Sequence, residues 1–265
     1  MKIGLIGGSG LYNIKGLNFV EQIELNTDYG KPSSSYKVFN RGSVNYYFLA
    51  RHGYKHSIPP HKINYRANIE GFKKLGIDKI LSFCAVGAIN RDYSIRDIII
   101  PENAIDFTSG RQATFYETIP VYHIDITEPF CGILREKVIE YYAKTGRKIV
   151  DNAVYVCTNG PRLETAAEIK MFEILGGDIV GMTLFPECVL AREKEICYIN
   201  VSVVTNYAAG ISKNKLTTVE VKENMSKINE DICDLIYNMA DFLDKLKSCN
   251  ICPKALSGTR VGDNK

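Results

Sequence analysis

The stretch that most constrains the fold runs from Asn159 to Thr183, because it joins a loop, a predicted helix and a predicted strand. It opens with the turn sequence NGP, continues with apolar residues at helical spacing and ends the helix at a GG pair. The short strand DIVGM follows. Glu164 stands where this helix is expected to begin, and a carboxylate there ordinarily caps the helix or pairs with its dipole. A functional role for Glu164 therefore needs support from elsewhere in the chain.

The rest of the chain alternates strands and helices, which predicts an α/β fold. The predicted strands are 2–6, 45–50, 79–84, 97–100, 153–157 and 196–205. The predicted helices are 64–76, 131–145, 186–195 and 218–247. A turn is predicted at 85–88. Neither a repeat nor a linker divides the sequence, so we predict one domain over 1–248 and a polar, frayed C-terminal tail over 249–265.

Composition restricts the class of partner. The chain has 265 residues, of which 45% are hydrophobic and 24% charged, as in globular proteins. A net charge of +3 gives no reason to expect a nucleic acid or a membrane surface as partner. No signal peptide is expected, and no run approaches the length of a transmembrane helix. We therefore expect a cytoplasmic protein with a small-molecule partner.

Eight cysteines are scattered mostly in apolar segments, which favours reduced, buried thiols over a disulfide framework. The exception is Cys249-Asn-Ile-Cys252. This pair is compatible with a local disulfide, half of a metal site or a redox pair. Because the sequence shows no second Cys or His pair beside it, a stabilising or incidental role is favoured.

Polar residues stand at the ends of four predicted strands, where α/β proteins usually bind ligands. They are Ser9, Arg51 with His52, Thr183 and Asn206. The glycine turn around Ser9 suits an anion, but its spacing is not that of a dinucleotide site. The three histidines of RHGYKHSIPPH lie in a loop without nearby Cys or carboxylate, so an anion site is favoured over a metal. Together these residues predict a small-molecule site on one side of the sheet.

Several motifs, in one order along nearly the whole chain, resemble the purine nucleoside phosphorylase family, and most closely its methylthioadenosine phosphorylase branch. They are IGLIGGSGLY, FLARHG, HKINYRANI, ITEPFC, TNGPRLETAAEIKMF, GMTLFPECVLARE and VVTNYAAG. The resemblance implies a single-domain three-layer α/β/α fold with a mixed central β-sheet, assembled as a homotrimer or homohexamer. It also implies reversible phosphorolysis, in which inorganic phosphate attacks C1′ of the sugar and the purine leaves, with no metal and no other cofactor.

The same resemblance assigns residues. Ser9, Arg51, His52, Thr183 and the backbone of Ala85 correspond to the phosphate site. Met182 corresponds to the residue beneath the ribose. His123, which by itself would be taken for a surface histidine, aligns with a residue that reaches into the neighbouring subunit's site.

The base is predicted from hydrogen-bond chemistry. Relatives that accept adenine carry Asp where this chain has Asn206, and a second Asp at Ala208. An asparagine can donate to the oxygen of a 6-oxopurine, whereas an ionised aspartate only accepts. Glu164 can accept the N1 hydrogen of such a base and would repel the bare N1 of adenine. Glu164 and Asn206 therefore predict phosphorolysis of inosine, guanosine or 5′-methylthioinosine, for purine salvage.

The 5′ end of the substrate stays open. The alignment places Val219 where inosine and guanosine phosphorylases carry a histidine, which favours a 5′-methylthio group, but Lys222 and Glu223 would spoil an apolar pocket. The alternatives are a 5′-methylthioadenosine phosphorylase, a hydrolytic nucleosidase, a non-catalytic nucleoside-binding protein and, at the level of fold alone, a dinucleotide-dependent oxidoreductase.

Overall fold

The computed structural model describes residues 1–8, 16–212, 217–243 and 249–262. Its centre is a mixed sheet of eleven strands, and two further short strands pair separately. The strands are β1 (Lys2–Gly7), β2 (Asn18–Ile23), β3 (Tyr36–Arg41), β4 (Val44–Ala50), β5 (Lys79–Ala88), β6 (Ile98–Ile99), β7 (Asn103–Phe107), β8 (Val121–Tyr122), β9 (Ile149–Val150), β10 (Val154–Thr158), β11 (Ile179–Gly181), β12 (Cys197–Tyr207) and β13 (Arg260–Val261). The helices are α1 (Tyr65–Lys74), α2 (Gly132–Thr145), α3 (Ala166–Ile174), α4 (Glu187–Glu193) and α5 (Thr218–Leu243).

The long strand β5 organises the sheet, because it pairs with three others. Along its whole length it runs parallel to β12. On its other side β1 pairs with Ile80 to Ser82, whereas β11 pairs, antiparallel, with Gly87 and Ala88. Among the described strands, residues 83–86 of β5 therefore have no neighbour on that side. Since β1 and β11 approach β5 from opposite directions, their C-terminal ends meet at this gap.

Four of the helices pack in pairs. α1 packs against α4, α2 packs against α5, and α2, α4 and α5 all contact β12. β12 is accordingly buried from Cys197 to Thr205, as its continuous apolar sequence predicts. The architecture confirms the predicted α/β fold with a mixed central sheet.

Three local predictions need correction. The predicted turn at 85–88 is the second half of β5, because β11 and β12 pair with it there. The tail does not fray throughout: within 249–262, Cys252–Lys254 form a helical turn and β13 pairs with β8. β12 extends to Tyr207, so Asn206 lies in the strand instead of after it. Within the described parts of the chain, no helix is both long enough and apolar enough to cross a membrane.

Candidate active site

A cavity opens at the gap beside β5. Of the predicted site residues that the structure describes, all except His123 and Val219 line it. Its walls are Gly8, Arg51, His52, His56, Pro60, Cys84, Ala85, Val86, Gly87, Leu163, Glu164, Val180, Gly181, Met182, Thr183, Thr205, Asn206, Ala208 and Val221. The fold thus brings separate chain segments to one place.

Arg51 lines the cavity, is almost fully buried and forms a bidentate ion pair with Glu187. Its Nε and Nη2 atoms donate to the two Glu187 oxygens at 2.7 and 2.9 Å. Nη2 also donates to the Ser82 hydroxyl, and Nη1 to the Phe83 carbonyl. Burial is the largest single effect and disfavours the Arg51 charge, but the charge and hydrogen bond of Glu187, together with Cys84 and Tyr198, raise the pKa of Arg51 well above its ordinary value. After these contacts within the described chain, one N–H, on Nη1, is left for an anion.

Glu187 is in turn well satisfied, because the hydroxyls of Ser82 and Tyr198 also donate to it, each at 2.8 Å. The Arg51 charge is therefore balanced inside the protein. An anion at this position would therefore meet directed donors with little net positive charge.

The backbone of β5 supplies another donor. Within a strand, N–H and C=O groups alternate between the two sides from residue to residue. The Phe83 carbonyl faces the gap, where Arg51 binds it, and the Ala88 carbonyl faces the side of β12, where it accepts from the Ala208 N–H. Ala85 shares the orientation of Phe83, so its N–H faces the cavity, where the described sheet offers it no strand partner. Ala85 was predicted to contribute through its backbone, and the pairing pattern explains how.

The surroundings of His52 fix both its tautomer and its charge. Its Nδ1 lies 2.8 Å from the Ile58 carbonyl, which can only accept, so Nδ1 carries the hydrogen. Burial and the nearby Arg51 charge lower the pKa of His52 to about 4. At neutral pH the imidazole is uncharged and its Nε2 is an acceptor. The His56 ring stacks on it, with the ring centroids 4.3 Å apart.

Glu164 is oriented by a hydroxyl. The helix N-cap is Thr165, which forms a capping box with Glu168, so Glu164 is not used as a cap. Instead Glu164 accepts a 2.6 Å hydrogen bond from Thr158 at the end of β10. One carboxylate oxygen is thus fixed, and the other stays able to accept.

Asn206 is positioned by a β-bulge. β12 inserts one extra residue between Val204 and Asn206 against β5, and such an insertion re-aims the following side chain. The Asn206 Oδ1 accepts from the Thr205 hydroxyl at 2.9 Å, and its Nδ2 donates to the Tyr207 carbonyl at 3.0 Å. The second Nδ2 hydrogen is left to donate into the cavity.

Comparison with known proteins decides the family. A family model described as "Phosphorylase superfamily" matches residues 2–241. The chain is 49% identical to a probable S-methyl-5′-thioinosine phosphorylase of Thermodesulfovibrio yellowstonii, over 97% of this chain and 96% of the relative. It is 46% identical to the 6-oxopurine nucleoside phosphorylase of Pyrococcus furiosus, over 97% and 98%. The chain belongs to the phosphorylase superfamily.

A solved member of the superfamily has the same architecture. The methylthioadenosine phosphorylase of Schistosoma mansoni, in complex with adenine, superposes with a TM-score of 0.93 at 28% identity, covering 98% of each chain. The resemblance inferred from the motifs is therefore confirmed at the level of sequence and of fold.

Three predicted residues are not among the described residues that line the cavity. Ser9 falls outside the described residues. His123 does not line the cavity of its own chain, so its reach into a neighbouring subunit stays a prediction. Val219 is 61% exposed, and Val221 lines the cavity in its place. Two residues turn a helix by about 200°, so the side chains of Val219 and Val221 point to opposite faces of α5.

The same register leaves Lys222 and Glu223 outside the cavity lining, and both are exposed. The two charges that weighed against an apolar 5′ pocket are therefore absent from the described part of the cavity lining.

Sequence reasoning missed Arg111, which ties the site together. Its Nη2 donates to the backbone carbonyls of Asn159 and Met182, at 3.0 and 2.9 Å. Its Nε donates to the Asn159 side chain, and Nη1 to the carbonyl of Phe185. Arg111 thus joins the segments that carry Glu164 and Thr183. It sits in an irregular stretch without a motif, so no local signal marked it.

Proposed function

We propose that this phosphorylase cleaves 6-oxopurine nucleosides, with 5′-methylthioinosine as its preferred substrate. The observation that carries the base assignment is the pairing, across one cavity, of a fixed carboxylate acceptor with an amide donor. Glu164 accepts the N1 hydrogen and Asn206 donates to the O6 oxygen, and adenine presents the opposite pattern at both atoms.

The chemistry follows from the same residues. Inorganic phosphate binds at Arg51 Nη1, the Ala85 N–H and the Thr183 hydroxyl, and its own P–OH group donates to the bare Nε2 of His52. A phosphate oxygen attacks C1′ as the bond from C1′ to the purine nitrogen breaks. Positive charge develops on the sugar, beside the phosphate, and negative charge on the base, where Asn206 stabilises it by donating to O6. The proton of the hydrogen phosphate passes to the departing base, so the products are free purine and sugar 1-phosphate.

The 5′ preference rests on Val221. An isopropyl group at the cavity wall suits an apolar methylthio group and offers no hydrogen bond to a 5′-hydroxyl. The relative at 49% identity carries the name of a probable S-methyl-5′-thioinosine phosphorylase, which supports this choice.

A substrate panel tests both proposals. Inosine, guanosine, 5′-methylthioinosine, adenosine and 5′-methylthioadenosine are each incubated with and without phosphate, and purine release is measured. We expect phosphate-dependent release from the three 6-oxopurine nucleosides, with the highest kcat/KM for 5′-methylthioinosine. Release without phosphate would identify a nucleosidase, and comparable rates on inosine and adenosine would refute the base assignment. A variant Val221→Asn should lower kcat/KM for 5′-methylthioinosine more than for inosine.

A second candidate function, binding without catalysis, is disfavoured because the phosphate donors are assembled together with the base residues. A bound nucleoside alone would need only Glu164 and Asn206.

A further inference from the structure

Four cysteines meet outside the active-site cavity. Cys131 is the residue before α2, Cys197 begins β12, and Cys249 and Cys252 lie in the C-terminal segment. Their four Sγ atoms all lie within 4.8 Å of one another. All except the half-buried Cys249 are buried. The sequence showed only the Cys-x-x-Cys pair, and folding supplies the second pair whose absence had argued against a metal.

We propose that these four thiolates bind one thiophilic divalent ion, of the Zn²⁺ type, in a closed structural site. A tetrahedral ion with Zn–S bonds of about 2.3 Å separates its sulfur ligands by about 3.8 Å. The observed cluster needs only small side-chain adjustments to reach that geometry. Four protein ligands leave no open position, so the ion is structural and takes no part in phosphorolysis.

Donors around the cluster stabilise sulfur in its charged, metal-binding form. The Cys252 N–H donates to the Cys249 Sγ at 3.4 Å, within the Cys-x-x-Cys turn. Arg192 Nη1 donates to the Cys252 Sγ at 3.5 Å. Cys131 stands at the N-terminus of the 14-residue helix α2, where the helix dipole favours a thiolate.

The burial of Arg192 beside Cys252 independently indicates that the cysteine cluster carries negative charge. Its side chain is buried, with 6% exposure, and its other contact is to the backbone carbonyl of Glu128. Among the described residues no carboxylate forms an ion pair with it, and Asp125, whose pKa its charge helps to lower, is exposed to solvent. A buried guanidinium without a carboxylate is costly, whereas a divalent ion with four thiolates carries a charge of about −2 and balances it.

The ion would anchor the C-terminal segment to the body of the protein. Beyond Cys252 the chain runs to β13, which pairs with β8, and the Thr259 carbonyl accepts from the His123 N–H. The metal would therefore fix the start of the C-terminal segment at Cys249 and Cys252. The far end of that segment is hydrogen-bonded to β8 and to His123.

The test begins with the full-length protein, purified anaerobically with reductant and without chelator. We expect about one zinc ion per chain by plasma mass spectrometry. Replacement by Co²⁺ should give the intense visible absorption and thiolate charge-transfer bands of a tetrahedral sulfur site. Removing the metal with a strong chelator should lower Tm, because the ion binds the folded chain only.

The variant Cys249→Ser/Cys252→Ser should lower the zinc content to under about a tenth of an ion per chain. The matched control is Cys233→Ala, which removes a buried cysteine of α5 outside the cluster and should keep the metal. If the double variant does not fold, the Co²⁺ spectrum of the unmutated protein decides by itself. Absence of metal together with no cobalt spectrum on titration would overturn the proposal. So would a mass deficit corresponding to two disulfides in the anaerobically purified protein.

Discussion

The variant Asn206→Asp tests the base assignment most directly, because it changes one donor into an acceptor at almost constant shape. In the structure one Nδ2 hydrogen of Asn206 binds the Tyr207 carbonyl at 3.0 Å and the other is free for the base. In the variant, a carboxylate oxygen would face the Tyr207 carbonyl and the O6 oxygen of a 6-oxopurine. The bond from the Thr205 hydroxyl would survive.

The magnitude follows from these contacts. A hydrogen bond to a group that gains charge is worth about 1.5–3 kcal/mol, and an unsatisfied acceptor pair costs about 1–3 kcal/mol. The cost of the unsatisfied acceptor pair is partly present in the free enzyme too, so only part of it adds to the activation barrier. The activation free energy for inosine should therefore rise by about 3–4 kcal/mol. At about 1.4 kcal/mol per factor of ten, kcat/KM for inosine should fall roughly 10²- to 10³-fold. Turnover of adenosine, whose 6-amino group can donate to the introduced carboxylate, should rise about tenfold, limited by repulsion between Glu164 and N1.

The assay is phosphate-dependent purine release from inosine and adenosine at saturating phosphate, with Tm measured for each variant. The exposed Asn18 of β2 offers a control, since Asn18→Asp adds the same charge at the surface and should leave both rates unchanged. Adding Glu164→Gln to Asn206→Asp should raise adenosine turnover further, because the amide can donate to N1. An inosine rate within about threefold of the unmutated protein would refute the reasoning, as would an equal loss on both substrates.

Three further predictions concern the groups that support the site. Thr158→Val removes the hydroxyl that fixes Glu164 and should lower kcat/KM for inosine roughly 10- to 100-fold; a change of less than about twofold would show that Glu164 is held in another way. Glu187→Gln leaves the buried Arg51 without its counter-ion and should destabilise the fold by about 3–5 kcal/mol, seen as a fall in Tm of roughly 10 °C. Because the pKa of His52 is about 4 when folded and about 6.5 when unfolded, the unfolded state binds more protons between these values, and stability falls as pH falls. Urea unfolding should show a loss of about 2 kcal/mol from this group between about pH 7.5 and 5, and His52→Gln should remove that part of the dependence.

The internal pairing of Arg51 has a consequence for phosphate affinity. Since Glu187 neutralises the guanidinium, the proposed phosphate site would depend on N–H and O–H groups held at fixed positions. Preorganised donors of this kind are most effective where charge develops during the reaction, beside the sugar carbon. The hydrogen bonds around Arg51, and those from Ser82 and Tyr198 to Glu187, therefore fix the position of the guanidinium group. They leave little net charge at the site.

Much of this protein could be predicted from sequence because the relevant signals are local. Continuous apolar runs mark β5 and β12, and polar residues just after such runs mark the ligand-binding edge. The donor and acceptor properties of Glu164 and Asn206 are fixed by residue type alone. The start of α5 at Thr218 agrees with the sequence prediction, but which side chain of its first turn faces the cavity, Val219 or Val221, depends on packing and is not fixed by an alignment.

The remaining features depend on contacts between residues far apart in the chain, which no local pattern encodes. The gap beside β5 exists because β1 and β11 approach β5 from opposite directions. The bulge before Asn206 lies on the other side of β5, in the strand β12 that pairs with β5 along its whole length. Glu187, Arg111 and the thiols of Cys131 and Cys197 acquire partners only when packing brings separate elements together. Sequence by itself determined which chemical groups were available; the tertiary structure decided which of them meet, because hydrogen bonds and metal coordination require distances of a few ångströms that only packing sets.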